Sequence, residues 1–410
     1  MGSFDRTTPP VPGLPMPAGL RRFFRTEQAG GVVLLVGALA ALIWANSPWQ
    51  ASYSSFWSTA VSLRVGGATL HADLRHAVND GLMALFFFVV ALEVKRELVA
   101  GELRSWRTAS LPAVAALGGM VVPALLYTAV NVGGPGTRGW GVPMATDIAF
   151  AVGVLSLLGD RVPASLKLFL LSLAVVDDIG AILVIAAFYS ESVDATAVVV
   201  ATGLLGGVVV LRGLGVTWVP AYAVMGAAVW LAVFQSGVHA TIAGAVLGLL
   251  TPARPLTPDT TVSVAERLED ALHPTVSFAV LPLFALANAG VTLGRDVLDA
   301  PGAGRVAVGI VVGLIAGKTL GILSFSWLAV RSGLSALPSG TTWGQVAGVA
   351  VTAGIGFTVS LFIAELAFTT GPLQAAAKVG ILAASALAAL LGLAILRRST
   401  LARPATTSSS

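Results

Sequence analysis

Apolar residues in this chain come in long runs, separated at short intervals by clusters of charge, proline and glycine. Runs near the ~20 residues that a helix needs to cross a bilayer recur at 29–45, 74–94, 108–130, 137–158, 164–189, 196–211, 218–234, 237–250, 264–288, 305–329, 343–369 and 374–396. Such runs are too long for barrel strands, so the spans are read as helices. The pattern predicts an all-α membrane protein with about twelve transmembrane helices. The fourth, seventh and eighth runs are short or interrupted, and the last two are divided only by "QSG" (235–237).

One stretch has a different period. "VSLRVGGATLH" (61–71) alternates apolar and polar residues about Gly66–Gly67. Paired glycines supply the positive φ angles of a tight turn, so a short β-hairpin is predicted in the first outer loop. Residues 1–20 read as a disordered Pro-rich leader, 21–398 as one polytopic domain, and 399–410, ending "ATTSSS", as a disordered tail. The basic "RRFFR" before the first run resembles the start of a signal peptide. Because many spans follow, it is read as the anchor of an uncleaved first helix.

Composition agrees with the periodicity. The chain is 56% hydrophobic and 11% charged, with a mean hydropathy of +0.88, whereas soluble domains carry about 25% charged residues. Cysteine is absent, which excludes disulfides, thiolate metal sites and thiol catalysis. The formal charge of +4 and pI near 9.8 are explained better by membrane orientation than by an anionic partner. Of the 24 Lys and Arg, six fall on one side (Arg64, Arg75, Arg138, Arg295, Arg305 and Lys378) and Lys318 lies mid-span, which leaves 17 on the side shared by both termini. Both termini are therefore expected in the cytoplasm, and a bacterial plasma (inner) membrane fits.

Four ionisable residues lie near the middle of their spans: Asp147, Asp177, Asp178 and Lys318. Each costs at least about 2.5–3.5 kcal/mol on insertion scales, which makes it a functional candidate. A lone acid–base pair could simply join helices, but three acids cannot all be matched by one lysine. Adjacent helical residues point about 100° apart, so Asp177 and Asp178 do not face one partner together. One can pair with Lys318 while the other meets a watered cavity. A carboxylate in such a place holds either a proton or a small hard cation, for which oxygen ligands are suited. Competition between the two for one carboxylate is the simplest chemistry of exchange.

The backbone signals point the same way. "GWGVPMATDIAF" (139–150) crowds Gly139, Gly141 and Pro143 around Thr146 and Asp147, and "TAGIGFTVS" (352–360) carries Gly354 and Gly356. Pro143, Gly354 and Gly356 are read as broken-helix positions. Both interruptions fall in the middle span of a three-span set, spans 3–5 and 10–12, and the two sets enter the membrane from opposite sides. Inverted repeats with two broken, crossing helices mark the substrate site of many transporters. Asp147 and Lys318 could each neutralise a broken-helix dipole. Gly309, Gly313, Gly317 and Gly321 recur every four residues in the tenth span, a stripe that lets helices approach closely and holds Lys318 against a neighbour.

At these residues the chain resembles the NhaA family of bacterial sodium/proton antiporters. The resemblance runs from about Arg21 to Arg398 and rests on "LEVKREL" (92–98), "ATDIAFAVGVLSLLGDRVP" (145–163), "DDIGAI" (177–182), "SGVHATIAG" (236–244), "LPLFALANAGV" (281–291), "GKTLGI" (317–322) and "GIGFTVSLFIA" (354–364). NhaA is itself one of the transporters in which the inverted-repeat rule was recognised, so that rule adds no independent support. The resemblance implies electrogenic, pH-regulated exchange of cytoplasmic Na⁺ or Li⁺ for external H⁺ by alternating access, serving pH homeostasis and salt tolerance. It implies that Asp177 and Asp178 carry the ions, that Asp177 pairs with Lys318 when sodium is absent, and that Thr146 and Asp147 sit at the helix crossing, as further candidate Na⁺ ligands. It implies pH sensing at Glu93, Lys95, Arg96, Glu97, Glu269 and His273, with His239 affecting the pH profile. It also implies a homodimer through the 61–71 hairpin.

For the sensing group a plainer reading stands beside this one. Ser263 and Glu266 form a capping box, and charges at a helix start are usually solvated. Three residues depart from the family pattern: Asp270 where a histidine is known, Thr319 where proline is usual, and Glu365 as an extra acid. Beyond the transported ions and the bilayer, no cofactor and no nucleic acid is expected. Rival readings fit less well. An intramembrane aspartyl protease needs no central lysine, and no GxGD motif occurs. An organic-anion symporter would want an arginine or a substrate-sized polar pocket in mid-membrane, where only one lysine is found, and paired broken helices favour alternating access over a channel.

Overall fold

A computed structural model describes residues 18–65, 68–190, 194–216, 218–253, 262–294, 296–368 and 371–401. Helix α1 (Ala18–Ala45) is followed by a short surface helix, α2 (Gln50–Trp57), and two antiparallel strands, β1 (Ala60–Val65) and β2 (Ala68–Asp73). The strands pair from Ala60 with Asp73 to Val65 with Ala68. The hairpin is thus present, while its Gly66–Gly67 turn lies outside the described residues. Asp73 ends it and caps the next helix, its Oδ1 accepting from the His76 backbone N–H at 2.8 Å.

The remaining chain is helical: α3 (Leu74–Val99), α4 (Trp106–Asn131), a 3₁₀ stretch (Thr137–Met144), α5 (Ile148–Ser156), α6 (Ala164–Phe188), α7 (Ala195–Gly213), α8 (Val219–Gln235), α9 (Thr241–Leu250), α10 (Val264–Asn288), α11 (Ala303–Arg331), α12 (Trp343–Thr352), α13 (Phe357–Ala367) and α14 (Pro372–Leu401). Each predicted apolar run contains helix. Among the described residues, nine helical stretches are long and apolar enough to cross a membrane, and the pair α12 and α13, bent by 45°, makes a tenth. The predicted run 237–250 starts as helix only at Thr241 and holds 10 residues, about half the ~20 a span needs. Helices also intrude on the predicted tails. Residues 18–20 begin α1 and 399–401 end α14, while 1–17 and 402–410 lie outside the described residues.

Close backbone approach organises the packing. Helix α11 lies along α4, and α9 lies along α3. At Gly317 a Cβ would fall 2.7 Å from the Pro123 Cα, and at Gly321 it would run into the Gly118 carbonyl. The glycine stripe therefore seats α11 on α4, as small-residue stripes do in membranes. Three π-helical turns interrupt the long helices, at Ala77–Leu82, Val276–Val280 and Gly313–Gly317. The last ends at Lys318.

Candidate functional site

An extended link, 145–147, and a link that opens with a turn, 353–356, pass each other in the interior. The Asp147 N–H donates to the Ile355 carbonyl at 2.6 Å, and the Thr146 hydroxyl to the Ala353 carbonyl at 2.9 Å. The first break therefore falls at Ala145–Asp147 rather than at Pro143, which lies within the 3₁₀ stretch with Gly139 and Gly141. Gly354 and Gly356 do lie at the second break.

Asp147 occupies the crossing, 2% exposed. Its Oδ1 accepts from Phe150 N–H at 3.0 Å, capping α5. Its Oδ2 accepts from the N–H of Thr358 at 3.0 Å and from its hydroxyl at 2.6 Å, at the start of α13. One carboxylate thus serves the positive ends of two half-helices, where anions are favoured. Thr358 escaped the sequence reading, although a polar residue in the first turn after "GIG" was the available signal.

Lys318 stands against Asp177, the partner that the resemblance implies, and does not meet a broken-helix end directly. Its Nζ donates to Asp177 Oδ2 at 2.5 Å and to Thr146 Oγ1 at 2.9 Å, and meets the α12 end only through Thr146. The Thr146 hydroxyl also lies 2.7 Å from Asp177 Oδ2. Asp177 and Lys318 are both fully buried, and Asp177 Oδ1 has no hydrogen-bond partner among the described residues.

Asp178 faces elsewhere. It lines a cavity of about 50 Å³ shared with Glu93, Thr146, Asp147, His273, Ser277 and Thr358, room for roughly three or four waters. Among the described residues, no three Asp, Glu or His side chains converge into a metal-type cluster. A cation at Asp178 would complete its oxygen shell from the other oxygens around this cavity and from water.

The sensing candidates separate into four places. Glu93 and His273 line the cavity. Arg96 pairs with the buried Glu269 at 2.6 Å and approaches Glu97 at 3.9 Å. His239 Nε2 sits 2.5 Å from the Tyr189 carbonyl at the end of α6. Lys95 turns away to the Leu249 carbonyl, 2.6 Å, at the end of α9. The Ser263–Glu266 capping box opens α10. Of the three departures, Asp270 is exposed, Thr319 bonds back to the Ile315 carbonyl at 2.6 Å, and Glu365 is ion-paired with buried Lys378 at 2.6 Å.

Comparison with known proteins shows the family of the chain. A family model described as Na⁺/H⁺ antiporter 1 matches residues 21–396. The chain is 51% identical over 379 residues to Na⁺/H⁺ antiporter NhaA of Acidovorax sp. strain JS42, covering 92% of this chain and 91% of the relative. It is 48% identical over 380 residues to the NhaA of Shewanella sp. strain ANA-3, covering 92% and 97%. It is 46% identical over 427 residues to NhaA 3 of Frankia alni, covering 95% and 92%. The chain belongs to the NhaA family of Na⁺/H⁺ antiporters, multi-pass membrane transporters rather than enzymes.

Proposed function

We propose that the protein expels cytoplasmic Na⁺, or Li⁺, in exchange for a larger number of entering protons, by alternating access at Asp178 and Asp177. The observation that carries this reading is the division between the two carboxylates. Asp178 lines the small polar cavity, while Asp177 is held by Lys318. A dehydrated cation reaching Asp178 competes there with a proton. Drawing Asp177 from Lys318 toward the same ion offers a second acid, so two protons can replace one monovalent cation and the cycle moves net charge. Thr146 and Asp147, at the same cavity, supply further oxygens.

The wider reading goes with it. Twelve spans in two inverted repeats would place both termini in the cytoplasm of a bacterial cell, with the β1–β2 hairpin outside as the contact of a homodimer. Glu93, Glu97, Glu269 and His273, with Arg96 and the more distant His239, are the candidate pH sensors. Glu93 and His273 line the cavity, Arg96 is paired with Glu269, and His239 meets the end of α6, places from which their charge would act on the ion's path and on the Asp-bearing helix. The test is Na⁺-driven proton flux in proteoliposomes, with and without a clamped membrane potential. Wild-type flux should depend on the potential and Asp178→Asn should abolish it. Exchange retained by that variant removes Asp178 from the centre, and flux indifferent to potential excludes the unequal stoichiometry.

A further inference from the structure

Three helices that line the cavity agree on what lies beyond it. Along α3 the cavity residues Glu93, Val90 and Phe86 are followed, toward the helix start, by Asn79. Along α10 they run His273, Ser277 and Leu281, then Phe284, then Asn288 at the helix end. Along α13, Thr358 and Val359 line the cavity and Phe362 follows one turn later. Phe362 contacts Phe87 and Phe284, with ring centroids 5.3 and 6.3 Å apart, and all three rings are at least 98% buried. Beyond them the Asn79 and Asn288 amides bond reciprocally at 2.7 and 3.4 Å, both buried. On α10 the order is polar cavity, aromatic ring, amide; on α3 Phe87 lies at the level of the last cavity residue, Phe86, and Asn79 lies beyond both.

We propose that Phe87, Phe284 and Phe362 form the gate that closes the cavity on the side opposite Glu93 and His273, and that the Asn79–Asn288 pair is its latch. This rests on the alternating-access reading above. A ring layer offers an ion no oxygen to replace its hydration, so it blocks passage while dry. The amide pair suits reversible closure. Each amide is satisfied by the other when shut and by water when open, so the bonds bias the equilibrium only modestly. A charged pair at that depth would cost far more to part.

The backbone supplies the means of opening. In α10 the π turn Val276–Val280, alongside the cavity, and Pro282, between the cavity and the latch, both weaken the helix ladder. The Tyr53 hydroxyl donates to the carbonyls of Leu286 at 3.0 Å and Ala287 at 2.9 Å. The outer piece of α10 is therefore tied to α2 and would swing with it. Asn79 itself lies in the π turn of α3.

The chain has no cysteine, so introduced thiols report without background. Asn79→Cys/Asn288→Cys is reconstituted and bridged with a short, reducible bis-methanethiosulfonate. Exchange should fall at least roughly tenfold on bridging and return with reductant, while calorimetry in detergent shows Na⁺ still binding the bridged protein. Bridged protein that exchanges as fast as the reduced form overturns the gate. If wild type itself shows no exchange, the reading of the function fails instead, and a second measurement still tests the gate. Phe362→Cys is labelled by a membrane-impermeant thiol reagent applied to the outer side. Replacing both Asn79 and Asn288 by Ala should speed labelling about tenfold, the loss of the latch bonds. Equal rates with and without the pair overturn the latch.

Discussion

Replacing Lys318 by Met keeps the length of the side chain and removes its charge. Asp177 Oδ2 then loses the ammonium at 2.5 Å and keeps only the Thr146 hydroxyl at 2.7 Å. That hydroxyl has one proton and a second acceptor, the Ala353 carbonyl at 2.9 Å. Asp177 Oδ1 has no donor to fall back on. Both partners of the ion pair are 0% exposed, so water does not take the ammonium's place. Breaking a buried pair by removing one member costs about 3–5 kcal/mol, because an uncompensated charge stays behind. The insertion cost of about 2.5–3.5 kcal/mol for a lone mid-membrane charge is of the same size.

The assay is equilibrium unfolding in mixed micelles for wild type, Lys318→Met, Asp177→Leu and the double variant. Each single variant should lose stability. The double variant should recover most of it, because an apolar pair of similar volume replaces a buried ion pair at little cost. A Lys318→Met protein within about 1 kcal/mol of wild type, the worth of an exposed pair, would refute the reasoning. So would a double variant as unstable as the sum of the singles.

Asp147→Ala removes the acceptor shared by α5 and α13, two caps worth about 0.5–2 kcal/mol each. Asp147→Asn, which keeps one acceptor oxygen and sets an NH2 donor in place of the other, should lose less than Asp147→Ala by the same unfolding assay. Gly321→Ala drives a Cβ into the Gly118 carbonyl and should cost about 1–3 kcal/mol by prising α11 from α4; an unchanged midpoint would contradict the packing. For Asp73, burial pushes the carboxyl up, but the His76 backbone N–H and ring outweigh it and hold it below its ordinary range. A depressed folded-state value contributes stability above the ordinary carboxylate pKa, and that contribution is lost as pH falls through the depressed one. The stability difference between wild type and Asp73→Ala should therefore be constant near neutrality and shrink below about pH 4; a gap that persists at low pH would oppose the capping role.

Helices and hairpin were legible because burial in lipid or core imposes a period on the residues themselves. The depth of Asp147, Asp177, Asp178 and Lys318 was legible for the same reason. The break in the fourth span was misplaced because Gly139, Gly141 and Pro143 look like the weak point, yet the chain stays 3₁₀-helical through Met144. It opens where Thr146 and Asp147 can bond to the other link instead of to their own helix. That exchange of partners depends on residues some 200 positions away, which no local pattern records. The Arg96–Glu269 and Asn79–Asn288 pairs were invisible for that reason, being joined only by the packing of α3 against α10. Spacing placed Asp177 and Asp178 on different faces but could not say which faced Lys318. The structure decides it for Asp177.

The charges at the crossing can be matched one by one. Two half-helix N-termini carry about +0.5 each, and both point at Asp147, whose single negative charge they balance. Lys318 balances Asp177. What is left is Asp178, which has no hydrogen-bonded cation among the described residues and opens on a cavity that it shares with Glu93 and His273. A fixed charge left over in a low-dielectric interior must be met by something mobile, a proton or a cation. That gives the adjacent aspartates their distinct parts under the proposed exchange. Asp178 is the site that always needs an ion, and Asp177 becomes a second one only when an arriving ion outcompetes Lys318. It also explains why the lysine belongs beside Asp177. Next to Asp178 it would satisfy the one charge whose lack of a fixed partner makes exchange possible.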